Sequence, residues 1–260
     1  MKLGPGVVVA ITGASSGIGQ ELAFQFAARG CSLALAARRS ELIENNVRKI
    51  QSAGGKAIAV TADVTKRADV DAFMARAFGE FGRLDVVIHN AGSAPASGTL
   101  LENSEEVFRQ TMDVNLMGGV YGVWAAAPLM EKNGGGLMVF ISSIVGKRGV
   151  PLSSAYCASK FAVQGLTESI RPELIRKNIR VLTVCPPGVD TPFFSANGRV
   201  RKRNYRLHPV EKIARRIVRA VEKEQRELLP SFDAKVVFWA NVFFPRLVDR
   251  LAVAIKGDKS

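Results

Sequence analysis

The sequence predicts a doubly wound α/β fold, a parallel β-sheet of about seven strands in three αβα layers, followed by an amphipathic C-terminal helical extension. Short, continuously apolar runs recur between residues 7 and 229, as strands buried on both faces of a parallel sheet do. Helical patterns of roughly ten or more residues separate them, the signature of repeated βαβ units. No solenoid repeat, low-complexity linker or compositional break divides the 260 residues, so one domain over 1–260 is expected, and 47% apolar content suffices for its core.

The first strand, residues 7–11, leads into a helical stretch to Arg29, with Gly30 where a helix end commonly places a left-handed residue. Further strands are expected at 32–36, 57–60, 84–88, 137–141 and 181–184, with a weaker seventh at 227–229. Such sheets bind ligands beyond the carboxyl ends of their strands, so the segments just after each strand hold the candidate site.

After the first strand stand Gly13, Ser15, Ser16, Gly17, Ile18 and Gly19, opening a helix. Glycines let the chain turn tightly and let a pyrophosphate approach the helix N-terminus, whose N–H groups and dipole favour anions. The spacing Gly-x3-Gly-x-Gly differs from the commoner Gly-x-Gly-x2-Gly. The second strand ends at Arg38 and Arg39, where an NAD site would carry a carboxylate, and guanidinium forks there suit the 2′-phosphate of NADP(H). Asp63 and Val64 follow the third strand, where a carboxylate could meet an adenine amino group, and Asn90, Ala91 and Gly92 form a tight turn after the fourth. Ser142 and Ser143 follow the fifth, and Tyr156 and Lys160 lie four apart on one helical face. An ammonium beside a phenol favours phenolate and tunes it for proton transfer at a carbonyl or alcohol oxygen.

These residues together resemble the classical short-chain dehydrogenase/reductase family, over residues 7–229, through Thr12-Gly13-x3-Gly17-x-Gly19 and Tyr156-x3-Lys160. The resemblance implies a Rossmann-type fold and roles that spacing alone does not show. Ser143, rather than Ser142, aligns with the serine that binds the substrate carbonyl. Tyr156 is the implied general acid/base, Lys160 tunes it and holds the nicotinamide ribose, and Asn115 supports a proton-relay water. Pro187, Gly188, Val189 and Thr191 match the segment over the nicotinamide. The usual Asn-Asn-Ala-Gly turn is His89-Asn90-Ala91-Gly92 here, and His89 is read as a strand-end structural histidine. The expected activity is NADP(H)-dependent reduction of a ketone or aldehyde on a hydrophobic substrate such as a 3-ketoacyl derivative, steroid or keto-lipid. A non-catalytic NADP(H)-binding scaffold or redox sensor is the alternative, against which Asn115, Ser143, Tyr156 and Lys160 argue together.

The net charge is +13 and the pI about 10.1. Residues 199–226 hold eleven Lys or Arg against three Asp or Glu, +8 of that total, which leaves +5 for the other 232. Nucleic-acid binding would rest on this segment alone and is not expected. A substrate lid is expected over 190–225, starting with Phe193 and Phe194 and carrying Arg199, Arg201, Lys202, Arg203 and Arg206. Two readings of its charge stay open, a solvated helix face and lid, or recognition of an anionic substrate group, carrier protein or membrane surface. The extension, residues 232–256, sets Lys235, Arg246, Asp249, Arg250 and Lys256 opposite Val237, Phe238, Trp239, Phe243, Phe244 and Leu247, with a break at Pro245. That face either packs on its own subunit or a dimer mate, or inserts peripherally into a bilayer. A homodimer or homotetramer is expected. Cys31, Cys157 and Cys185 are odd in number and widely spaced, so no disulfide framework or metal site is suggested, and a cytoplasmic location fits. Residues 1–6 lack the apolar core and cleavage site of a signal peptide, and no uninterrupted apolar run reaches the ~18 residues of a membrane span.

Overall fold

The computed structural model describes residues 1–193 and 207–254. Seven strands form one parallel sheet in the order β3-β2-β1-β4-β5-β6-β7: β1 Val8–Thr12, β2 Ser32–Ala37, β3 Lys56–Thr61, β4 Val86–His89, β5 Gly136–Ile141, β6 Ile179–Val184 and β7 Glu227–Leu228. All six neighbouring pairs are parallel. The expected strands are all present. The fourth starts two residues later than its apolar run; at its entry the Asp85 carboxylate, in place of a backbone carbonyl, accepts the Val8 N–H at 2.8 Å.

The alternation of side chains along each strand divides the core into two layers. Val9 and Ile11 of β1 and Val139 of β5 face α1 (Gly17–Ala27), α2 (Ser40–Ser52) and α7 (Val210–Glu222), meeting Phe26, Ile50 and Ile217. Val8, Ala10, Met138 and Phe140 face the other way, onto Phe73 of α3 (Arg67–Phe81), Met130 of α5 (Gly118–Lys132) and Ile170 of α6 (Ser154–Ile175). Both faces are sealed, so the strands read as unbroken apolar runs and not as alternating ones.

Between β4 and α5, α4 (Glu105–Met112) enters one π turn, Asp113–Met117, before α5 continues the same path. Nothing in the apolar pattern foretells that turn, and it carries Asn115. After β7 come α8 (Phe232–Phe243) and α9 (Pro245–Ala254), broken where Pro245 was expected to break them. The three cysteines are buried. Phe194, Arg199, Arg201, Lys202, Arg203 and Arg206 of the expected lid, and Lys256 of the extension, lie outside the described residues. The described part of the basic segment belongs to α7, whose Lys212, Arg215, Arg216 and Arg219 are exposed while Ile213, Ile217 and Val218 are buried.

Asp85, only 6% exposed, also pairs with Arg83 and so locks the amino end of β1 to β4. Asp85→Ala strands the buried Val8 N–H, and a loss of about 1–3 kcal/mol of stability is expected in urea unfolding.

Candidate active site

β1 and β4 lie side by side, and the turns leaving them meet at the carboxyl edge of the sheet. Thr12 Oγ1 accepts the N–H groups of Asn90 and Ala91, both at 3.2 Å. Asn90 Nδ2 donates to Thr12 O and Gly13 O, both at 3.0 Å. Gly13 has φ +67°, and a Cβ there would stand 2.7 Å from Ala91 Cα; one on Gly19 would stand 2.4 Å from Asn90 Nδ2. Side chains are therefore excluded at both positions by backbone and by a fixed amide. Asn46 of α2, almost fully buried, closes the turn from behind by donating to Ala14 O at 3.0 Å and accepting from Gln20 at 2.7 Å.

The N-terminus of α1 is left open. Ser16 has the extended backbone of an N-cap, yet its hydroxyl makes no capping bond. It accepts instead from Arg39 Nη2 at 2.9 Å, and Ser15 Oγ accepts from the same group at 2.7 Å. The first-turn N–H groups of Gly17, Ile18 and Gly19 thus have no side-chain cap, in the arrangement that binds phosphate. Arg39 lies over this turn and Arg38 is exposed beside it. The residues present fit a dinucleotide: a glycine cradle that a Cβ would fill, an uncapped helix end and a guanidinium at its side.

The other expected cofactor residues divide between this edge and local structure. Thr191 reaches the cradle, since a Cβ on Gly17 would stand 3.2 Å from its Cβ. Its segment is held by a bridge between Val189 and His208, with His208 N donating to Gly188 O at 2.9 Å, and Pro187 is half-buried beside it. Gly92 leads toward Asn115 and Lys160: a Cβ on it would stand 3.3 Å from Asn115 Oδ1 and 3.6 Å from Lys160 Nζ. Asp63 Oδ1 accepts from Thr65 N and Oγ1, which sets the entry to α3, and Val64 packs on Gly118.

Tyr156 and Lys160 are buried on one face of α6, with Lys160 Nζ 5.7 Å from the centre of the phenol ring. Nζ donates to Ile141 O at 2.9 Å, and Ser142 Oγ donates to Lys160 O at 3.1 Å while accepting from Gln164 Nε2 at 2.9 Å. These bonds fasten α6 to the end of β5. Burial pushes the Lys160 ammonium down to about 8, so it keeps its proton at neutral pH. Ser142 is buried within this brace, whereas Ser143 is half-buried and caps the short 3₁₀ turn Ile144–Gly146, accepting from Val145 N at 3.3 Å.

Asn115 Oδ1 accepts from Ser93 N at 2.7 Å, and its Nδ2 donates to Ser93 O and to Ser159 Oγ, both at 2.8 Å. Ser159 Oγ donates in turn to Tyr156 O at 2.8 Å. The π turn and the tyrosine helix are thereby tied through one serine. Phe193 faces Tyr156 with ring centres 6.1 Å apart. Asn46, Ser159 and Gln164 also hold this arrangement and carry no role in the sequence reading; of the three, only Ser159, one helical turn beyond Tyr156, has a local signal.

His89 ends β4 and is 7% exposed, with its ring 4.4 Å from that of Phe140 and neither ring nitrogen hydrogen-bonded among the described residues. Burial alone pushes it down to about 4, so it is neutral across the physiological range. Its position is that of a packing residue, as read from the sequence.

The short chain dehydrogenase model matches residues 7–201. An 11-beta-hydroxysteroid dehydrogenase A from Sesamum indicum is 34% identical over 260 residues, covering 94% of this chain and 74% of that protein. A short chain dehydrogenase/reductase from Burkholderia phymatum, solved in complex with NAD, superposes with a TM-score of 0.86 at 25% identity over 95% of this chain and 96% of its own. An alcohol dehydrogenase from the archaeon Thermococcus sibiricus, complexed with 5-hydroxy-NADP, superposes with a TM-score of 0.78 at 30% identity, covering 86% and 95%. With its sheet order, glycine turn and Tyr156–Lys160 helix, the chain belongs to the short-chain dehydrogenase/reductase family. It is an oxidoreductase of that family.

The buried state of His89 sets a pH dependence with a defined sign. Its folded pKa lies below the unfolded value near 6.5, so its contribution is complete above about pH 6.5 and is lost as pH falls toward 4. That loss amounts to about 3 kcal/mol over the interval. Denaturant unfolding of wild type and His89→Asn across this range should show the variant with the flatter profile; parallel profiles would exclude His89 as the cause.

Proposed function

We propose that the protein is an NADP(H)-dependent carbonyl reductase acting on a hydrophobic ketone or aldehyde, of the 3-ketoacyl, steroid or keto-lipid kind. The observation that carries this reading is the buried Tyr156–Lys160 pair, fastened to the end of β5 beside Ser143 and opposite the open end of α1. When bound, the nicotinamide supplies the hydride for the carbonyl carbon. Tyr156 delivers its phenolic proton to the carbonyl oxygen, and Ser143 donates a hydrogen bond to that oxygen, a preorganised dipole where negative charge grows. Lys160, cationic at neutral pH and next to the ring, favours the phenolate that the transfer leaves behind and holds the nicotinamide ribose. Asn115 positions a relay water behind Lys160, and the Phe193 ring beside Tyr156 makes the mouth apolar. The name of the sesame relative, an 11-beta-hydroxysteroid dehydrogenase, supports trying steroid ketones first.

NADP(H) is favoured over NAD(H) by Arg38 and Arg39, because Arg39 already lies on the serines of the glycine turn and no carboxylate stands at the end of β2. In the scaffold alternative, Tyr156 would have no chemistry to perform.

NADPH consumption over a panel of carbonyls of rising chain length, with steroid ketones and 3-ketoacyl thioesters, tests the activity. Tyr156→Phe should keep NADPH binding by fluorescence and lose about 10²–10⁴-fold in turnover; turnover within a factor of a few of wild type would refute the role. Arg38→Ala with Arg39→Ala should raise the KM for NADPH about tenfold or more and that for NADH far less, since NADH has no 2′-phosphate for the two guanidiniums to meet. Equal changes for both cofactors would remove the NADP(H) assignment.

A further inference from the structure

The extension is amphipathic in the opposite sense to a packed helix. Ala234 of α8 is buried, Phe238 lies against Lys147, whose Nζ is 5.7 Å from its ring, and Asn241 Nδ2 donates to Lys147 O at 3.4 Å. These three, one helical turn apart, form the inward face, and it rests on the loop that leaves Ser143. Of the apolar face read from the sequence, Phe238 therefore points toward the body. Phe232, Val236, Trp239 and Phe243 form a second stripe that points away, and Leu247 and Leu251 continue it on α9. All six are about half exposed or more, with Phe232 at 80% and Phe243 at 66%. Trp239 and Phe243 stack on each other at 5.8 Å in this outward stripe.

The charges of the same two helices are sorted. Both acidic groups point toward the body and are paired there, Asp233 with His208 at 3.0 Å and Asp249 with Arg148 at 2.5 Å. Lys235, Arg246 and Arg250 are exposed and have no acidic partner among the described residues. The free surface is therefore apolar and aromatic with cations only at its margin. A second copy docking isologously would bring these cations toward their own counterparts with no carboxylate between them, which is repulsive. An anionic bilayer is complementary on both counts: it accepts the aromatic stripe and attracts each margin cation.

We infer that α8 and α9 dock the protein peripherally on an anionic lipid surface through Phe232, Trp239, Phe243 and Leu247, with Lys235, Arg246 and Arg250 at the headgroups. Among the described residues no helix is long and apolar enough to cross a membrane, so the two helices lie in the interface plane. Arg148 and Lys147, which hold the extension, follow Ser143 by a few residues, so the inward face of the docked helices rests on the loop that leaves Ser143. The inference rests on exposure and charge and not on the reaction assigned above.

Flotation of the full chain with vesicles tests it. Binding is expected to vesicles of phosphatidylcholine with about 30% phosphatidylglycerol and to be much weaker with phosphatidylcholine alone. Trp239→Ser with Phe243→Ser, and separately Arg246→Glu with Arg250→Glu, should each lower the bound fraction about tenfold or more while melting temperature and NADPH binding stay at wild-type values. Two outcomes overturn the inference. One is failure of the wild-type chain to float with the anionic vesicles. The other is a dimer mass by light scattering that Trp239→Ser with Phe243→Ser reduces to the monomer, which assigns the stripe to a second copy.

Discussion

A side chain on Gly13 would stand 2.7 Å from the backbone of Ala91, and the site is built around that close approach. It brings the turn after β1 against the turn after β4, and Asn90 and Thr12 convert the contact into four hydrogen bonds. Because the two turns are held, the first-turn N–H groups of α1 face outward at a fixed place and Gly92 delivers the chain to Asn115 and Lys160. The glycine turn and the Tyr156–Lys160 pair are two sides of one contact. Loosening it would alter both, which is why a small residue at position 13 matters to chemistry performed elsewhere.

The Tyr156 side depends on a second constraint, the burial of a lysine. An ammonium taken out of water is costly unless it is bonded, and Lys160 has the Ile141 carbonyl for that purpose. The cost appears as a lowered affinity for its proton, and the position is held by Ser142 and Gln164 through the α6 backbone. The same brace lets Ser143, the neighbour of a structural serine, remain half-exposed at the mouth. Two adjacent serines thus have different surroundings because a strand end turns successive side chains to opposite sides.

Much of this is legible in the sequence alone. Seven strands, their parallel arrangement and the break at Pro245 follow from apolar runs, intervening helical patterns and a proline, all local properties. The glycine turn and the Tyr156–Lys160 spacing were legible because each has a short-range geometric meaning. Asp63 shows the limit of that reading: a carboxylate at the right strand end has Oδ1 engaged by Thr65, a bond its position in the chain does not announce. Asn46 and Gln164 were not legible, since polar residues in helices look alike until burial gives one of them a carbonyl or hydroxyl to satisfy. The π turn at Asn115 was not legible either, because it changes one turn of a helix whose pattern continues on both sides.

The sequence by itself determined the class of fold, the family, the glycine turn and the Tyr156–Lys160 pair on one helix face, because these depend on periodicity, glycine and a spacing of four. Only the tertiary structure decided which serine braces and which faces the mouth, that Arg39 lies across the glycine turn, and which way the extension turns its aromatic stripe. Those outcomes depend on contacts between segments distant in the chain. The extension shows the reason most clearly: Asp233 and Asp249 look like ordinary surface charges in the sequence, and pairing with His208 and Arg148 on the body turns one face of both helices inward and leaves the other to solvent.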